Sequence, residues 1–387
     1  VGPPQSSTNH GPRTLASFWP ALGGRLEACT LGDFPTPIER LLPLERELGA
    51  APLYVKRDDL SSPIYGGNKV RTLEVLFGVA RARGARRIVA TGAFGSNHAV
   101  ATVLHAERAG LEPGAILFPQ PYSWAALENV RVSLARARWL AVLPHWSLLP
   151  FAIWRARSAE HAVMLPGGAT PEGALGYVSA ALELAEQVQS GALEAPSWVV
   201  VGIGSTCTTA GLLVGFAHAA RLGIGFRTPP RVLAVRVTPW PVTSRFRILG
   251  LALRTSERLA ELASRPALRL RRSELSPLLE LDGRELGPGY GEPSREGLAA
   301  LELFRRHGLF ALDTTYSSKA FAGFSRLAHE LKQGPLVFWS TKSTAKLPDV
   351  TPEALAGTPA RGRRWIARAE RELERRGELP AGYRSLA

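Results

Sequence analysis

Residues 66–74 read Gly66-Gly67-Asn68-Lys69-Val70-Arg71-Thr72-Leu73-Glu74. Two glycines and an asparagine accept positive φ, so this run predicts a tight turn. Val70, Leu73, Phe77 and Ala80 follow at helical spacing and Gly84 is a stop signal, so the turn opens a helix. Lys69 therefore stands where turn becomes helix. The positive end of the helix dipole disfavours its charged form, and burial acts in the same direction. A neutral lysine attacks carbonyl groups. The remaining lysines are Lys56, Lys319, Lys332, Lys342 and Lys346; the other strong bases are arginines, which stay charged and do not do this chemistry. Taken alone, the local pattern favours a plain lysine in the first turn of a surface helix. The loops around it bear on that choice.

Upstream, Leu53-Tyr54-Val55-Lys56 reads as a short strand and Arg57 to Pro63 as a polar loop. Residues 1 to about 30 are rich in Pro, Gly and Ser and read as a loosely held arm. Downstream, strand and helix alternate: strand 87–91, helix about 97–109, strand 115–118, helix about 123–138, then strand, helix and a strand at 161–165. The apolar run from Trp139 to Trp154 is too short and too interrupted to span a bilayer, and we read it as a buried strand followed by a core helix. Pro166-Gly167-Gly168 is a break. The alternation then restarts with helix 173–189, strand 198–201, helix 208–221, strand 231–237, helices 294–307 and 318–332, and strand 336–339. This is the pattern of an α/β fold: two parallel-sheet α/β domains with a cleft between them. Ligands in such folds sit beyond the carboxyl ends of the strands. An Arg/Glu-rich segment, 361–376, reads as a solvated terminal helix with one apolar side.

Composition narrows the function. Two cysteines, Cys29 and Cys207, indicate neither a disulfide framework nor a zinc cluster and fit a reducing, cytoplasmic setting. No signal peptide is read at the start, and no membrane partner. The net charge of +14 is mostly arginine, without aromatic interleaving or a nucleic-acid module, so we expect no nucleic-acid partner. The field would favour an anionic substrate or cofactor.

Several loops carry chemistry. Gly204-Ser205-Thr206-Cys207-Thr208 follows an apolar strand and opens a helix, where N–H groups and hydroxyls hold one phosphate; an ordinary turn explains it equally well. It is neither a Walker loop nor a dinucleotide fingerprint. Ser96-Asn97-His98 stands at another strand-to-helix turn and either caps that helix or holds a carboxylate and relays protons. Tyr290 and Tyr316 lie in loops next to helix starts, as proton donors or as structural tyrosines.

Together these motifs resemble the pyridoxal-phosphate enzymes of the tryptophan-synthase-β fold type, and among them the 1-aminocyclopropane-1-carboxylate deaminase and D-cysteine desulfhydrase family. The resemblance runs from about Phe34 to Thr344. It rests on Gly66-Gly67-Asn68-Lys69 with Arg71, Gly95-Ser96-Asn97-His98, the Gly204 to Gly211 loop, Gly289-Tyr290-Gly291-x-Pro293, Tyr316-x-x-Lys319-Ala320 and Phe338-Trp339-Ser340-Thr341. It implies pyridoxal 5'-phosphate held covalently by Lys69, with Asn97 on its ring oxygen, Gly204, Ser205, Thr206, Cys207 and Thr208 around its phosphate, and Thr341 near its ring nitrogen. Ser96, Asn97, His98, Tyr290 and Tyr316 would bind a small amino-acid substrate, with Lys69, Ser96, Tyr290 and Tyr316 catalytic. It also implies a homodimer. The domains expected are a large cofactor-binding one, residues 31–71 plus 173–345, a small α/β one, 72–172, and a C-terminal extension, 346–387. Ser317 and Thr341 stand where the deaminases carry Glu and Leu, which points to D-cysteine desulfhydrase-like β-elimination giving a keto acid and ammonia. The alternatives are 1-aminocyclopropane-1-carboxylate deaminase and a catalytically altered binding protein of the same fold.

Three departures bear on cofactor binding. Thr206 and Cys207 replace two glycines usual in the phosphate loop, and a requirement for positive φ there would cost on the order of 1 kcal/mol each. The usual His-Thr-Gly-Gly reads Ser340-Thr341-Lys342-Ser343, and Lys342 is placed to reach the phosphate or block the ring pocket. The chain also runs on past residue 345. Cys207 itself reads as a small buried residue in a glycine's place.

Overall fold

The computed structural model describes residues 14–49, 52–331, 334–380, 383 and 385. Among the described residues ten strands form two sheets. They are β1 (Ile38–Arg40), β2 (Leu53–Arg57), β3 (Arg87–Ala93), β4 (Glu112–Phe118), β5 (Trp139–Val142), β6 (His161–Val163), β7 (Trp198–Ile203), β8 (Arg231–Arg236), β9 (Leu279–Asp282) and β10 (Leu336–Ser340). The six-stranded sheet runs β1-β2-β10-β7-β8-β9 and the four-stranded sheet β5-β4-β3-β6. Every pairing is parallel except β1 with β2, where Ile38 faces Lys56. Parallel strands require covered faces, and β2, β7 and β10 are buried along their whole length.

The chain passes between the sheets along helices. Asn68–Ala82 continues through the expected boundary at 71/72, and Pro171–Gln189 through that at 172/173. Leu73 and Phe77 of the first pack into the core of the small sheet; Leu175 and Tyr177 of the second belong to the core of the large one. A buried ionic network joins the two helices. The Arg71 guanidinium donates to Asp58 Oδ1 (2.8 Å) and Oδ2 (3.0 Å), to both Glu183 carboxylate oxygens (2.9 Å each) and to Thr36 Oγ1 (3.1 Å). Lys56 Nζ donates to Glu183 Oε1 (2.5 Å), and Tyr177 OH to Asp58 Oδ2 (2.6 Å).

Two expectations are corrected. Residues 14–30 are not a loose arm: Leu15, Trp19 and Leu22 are buried in the large core, and Trp19 meets the His218 ring edge-on at 5.4 Å. The earlier part of that arm, 1–13, lies outside the described residues. The apolar run 139–154 is not a buried strand and core helix. β5 ends its sheet and is only half-buried, and the helix Leu149–Ala156 buries Ile153 and Ala156 while Phe151 and Trp154 are 58% and 66% exposed. Ile153 and Ala156, with Leu149 and Ala152 partly buried beside them, cover Val89 and Ile116 of the small sheet, and Phe151 and Trp154 point outward. Sequence also missed β1 and the helix Leu42–Leu48 beside it. The C-terminal helix Ala360–Arg375 does present one apolar side: Trp365, Ile366, Ala369 and Leu373 enter the small core.

Candidate active site

A cavity of about 500 Å³ opens at the carboxyl ends of both sheets. Lys69, Asn97, His98, Ser205, Tyr316 and Thr341 are among the residues that line it, with Ser96, Gly204, Thr206 and Tyr290. Cys207 and Thr208 lie directly behind that wall, in the first turn of the helix Cys207–Leu222. All the sites expected from sequence are thus brought to one place.

The turn before Lys69 is fixed by the end of β10. Asn68 N donates to Thr341 O (2.9 Å) and Gly66 N to Ser343 Oγ (2.9 Å). Gly67 has φ +91°, and a Cβ there would stand 2.5 Å from Thr341 O, so only glycine fits. Lys69 follows in the first turn of its helix, buried to 9% exposure. Its Nζ lies 3.3 Å from Ser205 Oγ and 3.5 Å from Gly167 O. Among the described residues no carboxylate pairs with it. Burial lowers its pKa below the usual lysine value, with Cys207 opposing weakly. Gly167 is a site residue that sequence read only as a break; its φ is +69°, and a Cβ would strike the Ser205 side chain at 2.3 Å.

The helix at Cys207 begins without a side-chain cap, so its first N–H groups are open to an anion. Asn68 Nδ2 donates to Thr208 Oγ1 (3.0 Å), and Thr243 donates to Gly204 O (3.1 Å), bracing the loop from both sides. The strain expected at Thr206 and Cys207 is absent. Thr206 sits at φ −68°, ψ −5°, and Cys207 is helical; neither has positive φ. Cys207 Sγ turns away from the loop's anion side, to Gly168 O (3.3 Å) and Thr72 Oγ1 (3.9 Å). Burial raises its pKa, so it is a filler and not a reactive thiol.

Ser96 caps the helix Asn97–His105, its Oγ accepting from Ala99 N (3.2 Å), which leaves its hydroxyl proton for a ligand. Asn97 Oδ1 accepts from Tyr65 OH (2.9 Å) and Asn129 Nδ2 (2.9 Å). Its Nδ2 is the end of the amide left to donate. His98 is 1% exposed, and neither ring nitrogen has a hydrogen-bond partner among the described residues. Burial and the nearby Lys69 amine bring its pKa down to about 3, so the ring is neutral.

Tyr290 and Tyr316 meet hydroxyl to hydroxyl at 2.9 Å. Asp313 places the second: its carboxylate accepts from Thr315 N, Tyr316 N and Ser317 N at 2.8 to 3.0 Å. Lys319 places the first, donating to Leu286 O (2.7 Å) and Gly289 O (3.0 Å) of its loop. Burial raises both phenol pKa values, so each remains a proton donor.

Lys342 is corrected. It neither lines the cavity nor approaches the 204–208 loop; its Nζ donates to Tyr65 OH (2.8 Å), 4.8 Å from that ring's centre. Tyr65 and Gln120 were missed by sequence. Gln120 Oε1 accepts from Gly95 N (2.9 Å), and Trp365 of the C-terminal helix donates to Gln120 O (3.3 Å). No local signal marks either residue, because both act through contacts distant in sequence.

Comparison with known proteins agrees with this geometry. Residues 29–342 match the family model described as pyridoxal-phosphate dependent enzyme. The chain is 32% identical over 340 residues to nocardicin C-9' epimerase of Nocardia uniformis subsp. tsuyamanensis, covering 84% of this chain and 96% of that protein. It is 31% identical over 324 residues to D-cysteine desulfhydrase of Klebsiella pneumoniae, covering 79% and 91%. Among solved structures it resembles one described as an ACC deaminase homologue, with TM-score 0.68 and 30% identity over 84% of this chain and 94% of that one.

Proposed function

This chain belongs to the pyridoxal-phosphate dependent enzyme family, and within it we propose a lyase or deaminase that acts on a small amino acid by β-elimination, as a D-cysteine desulfhydrase does. The residues present fit the cofactor. Lys69 offers a buried amine with no carboxylate partner, the helix at Cys207 offers an uncapped N-terminus to a phosphate, and Asn97 offers a free N–H to a ring oxygen. Lys69, Asn97, Thr341 and residues 204–208 are the proposed cofactor contacts. When bound, the cofactor acts as an electron sink for charge that develops at the substrate Cα.

In this reading the chain's own residues bind, orient and move protons. The Ser96 hydroxyl and the start of the helix Asn97–His105 hold the substrate carboxylate, with neutral His98 beside them as a hydrogen-bond donor. The Lys69 amine takes the Cα proton, a task that burial favours by lowering its pKa. The Tyr290–Tyr316 pair stands across the cavity as the proton source for a departing β-substituent. The single observation that carries the proposal is the buried Lys69 amine, without a carboxylate partner among the described residues, on the cavity that the uncapped helix start borders.

The test is to incubate purified chain with the cofactor and a panel of D- and L-amino acids, measuring keto acid and ammonia. Release from D-cysteine or another β-substituted amino acid, lost in Lys69→Ala, is expected; no product from any member would refute the reading. A second reading, Cα epimerisation, is favoured by the similarity to nocardicin C-9' epimerase. It would show as solvent deuterium at Cα without ammonia. The homodimer and the cytoplasmic setting belong to the same proposal, and light scattering tests the first.

A further inference from the structure

We propose that Lys342 is a positioning residue for the cofactor, acting through Tyr65 to fix and polarise the Asn97 amide. Two hydrogen bonds in series, and a third that meets them at the same oxygen, carry the argument. Lys342 Nζ donates to Tyr65 OH at 2.8 Å, and Tyr65 OH donates to Asn97 Oδ1 at 2.9 Å. Asn129 Nδ2 donates to the same Oδ1, also at 2.9 Å. An amide oxygen that accepts twice cannot exchange places with its own NH2 group without setting donor against donor. The orientation of Asn97 is therefore locked, and Nδ2 is the end presented to the cavity that Asn97 lines.

A cation at the head of the series does more than lock it. Each donor in a chain strengthens the next when the chain lies in a low-dielectric interior. Tyr65 is 1% exposed, and His105 Nε2 lies 2.9 Å from its backbone oxygen, so the middle link is fixed at both ends. Lys342 remains charged here. Burial opposes its charge, and Tyr65, Asp313 and Glu128 together favour it, so that on balance its pKa is raised. Those two carboxylates and Lys342 are the charged groups that act on Tyr65. No carboxylate of the described residues lies within ion-pair distance of Lys342, and the hydrogen bond of its Nζ goes to Tyr65. The result is an Asn97 N–H primed for an anionic oxygen, as the ring oxygen of the cofactor is.

This inference rests on the cofactor of the family and not on the proposed substrate, so it is read by binding and spectroscopy without turnover. The experiment titrates cofactor into Lys342→Met, Lys342→Arg, Tyr65→Phe and the Lys342→Met/Tyr65→Phe double variant. Quenching of tryptophan fluorescence gives Kd, and the pH dependence of the bound chromophore's visible band gives the second readout. Lys342→Met and Tyr65→Phe are each expected to raise Kd roughly five- to tenfold, the size of one hydrogen bond. Each should also move the band's pH midpoint upward, because an anionic oxygen loses a donor. Lys342→Arg should stay within about twofold of the parent, since it keeps the charge. The double variant should be no weaker than either single one, because both cut the same series. Unchanged Kd and midpoint in Lys342→Met, or losses that add in the double variant, would overturn the proposal. Should Lys342→Met fail to fold, Tyr65→Phe decides alone, and a neutral result there also overturns it.

Discussion

Replacing Arg71 by Met is expected to cost about 3–5 kcal/mol of folding stability, the range for breaking a buried ion pair from one side. Arg71 is fully buried and donates to Asp58, Glu183 and Thr36, so the change strands two carboxylates with Lys56 as their remaining cation. The acid side gives an independent magnitude. Burial alone would raise the Glu183 pKa, but Arg71 and then Lys56 outweigh it and hold it at about 2, against an ordinary 4.5. A shift of that size is worth about 3 kcal/mol. Because the folded pKa is the lower one, this stability is present above pH 4.5 and is lost as the pH falls from 4.5 toward 2. The assay is urea unfolding followed by circular dichroism on cofactor-free protein, so that ligand linkage does not enter. The parent should lose stability through that acid window; Arg71→Met should be weaker at neutral pH and show a shallower acid decline. Arg71→Lys should recover only part, since an ammonium does not span two carboxylates. A loss below about 1 kcal/mol for Arg71→Met would refute the claim that this network holds the Lys69 helix to its neighbours.

Gly67→Ala should destabilise the chain by about 2 kcal/mol or more and weaken cofactor binding, because φ +91° and the Thr341 oxygen both exclude a Cβ; urea unfolding and a cofactor titration check it. Native protein should expose no thiol to an aromatic disulfide reagent and two in denaturant, since Cys29 and Cys207 are both buried and free. His98 has a folded pKa of about 3 against 6.5, so the unfolded chain binds the extra proton between those values. Stability should therefore fall as the pH drops below 6.5, and His98→Asn should flatten that part of the profile.

What the sequence disclosed and what it hid divide along a physical line. The alternation of strands and helices, the turn before Lys69 and the loop after β7 are local patterns, and the structure has each within a few residues of where they read. Glycine at 67 was legible because positive φ has one usual residue. The errors arise where a residue's partner is distant. Leu15, Trp19 and Leu22 stand at helical spacing, yet Pro20 and the glycines around them suggested a loose arm; their burial depends on helices some 160 residues and more away. Phe151 and Trp154 are apolar enough for a core, but their helix turns Ile153 and Ala156 to the small sheet and leaves these two on its outer face.

Lys342 is the clearest case. In sequence it stands where a small residue is expected, one position after Thr341, and the simplest inference is obstruction of the pocket. The β10 strand instead ends in a bridge from Lys342 to Gly67, which sends the side chain behind the Lys69 turn to Tyr65. The same bridge that forbids a Cβ at Gly67 thus decides where the ammonium goes. Thr206 and Cys207 follow one logic with it: both keep an unstrained backbone, and Cys207 turns its thiol away from the anion side, to Gly168 O. A chain that had merely lost its cofactor would have no need to keep Lys69 unpaired, the Cys207 helix uncapped and the Asn97 amide locked in one orientation. These three features share one cavity, and a retained cofactor site accounts for all of them.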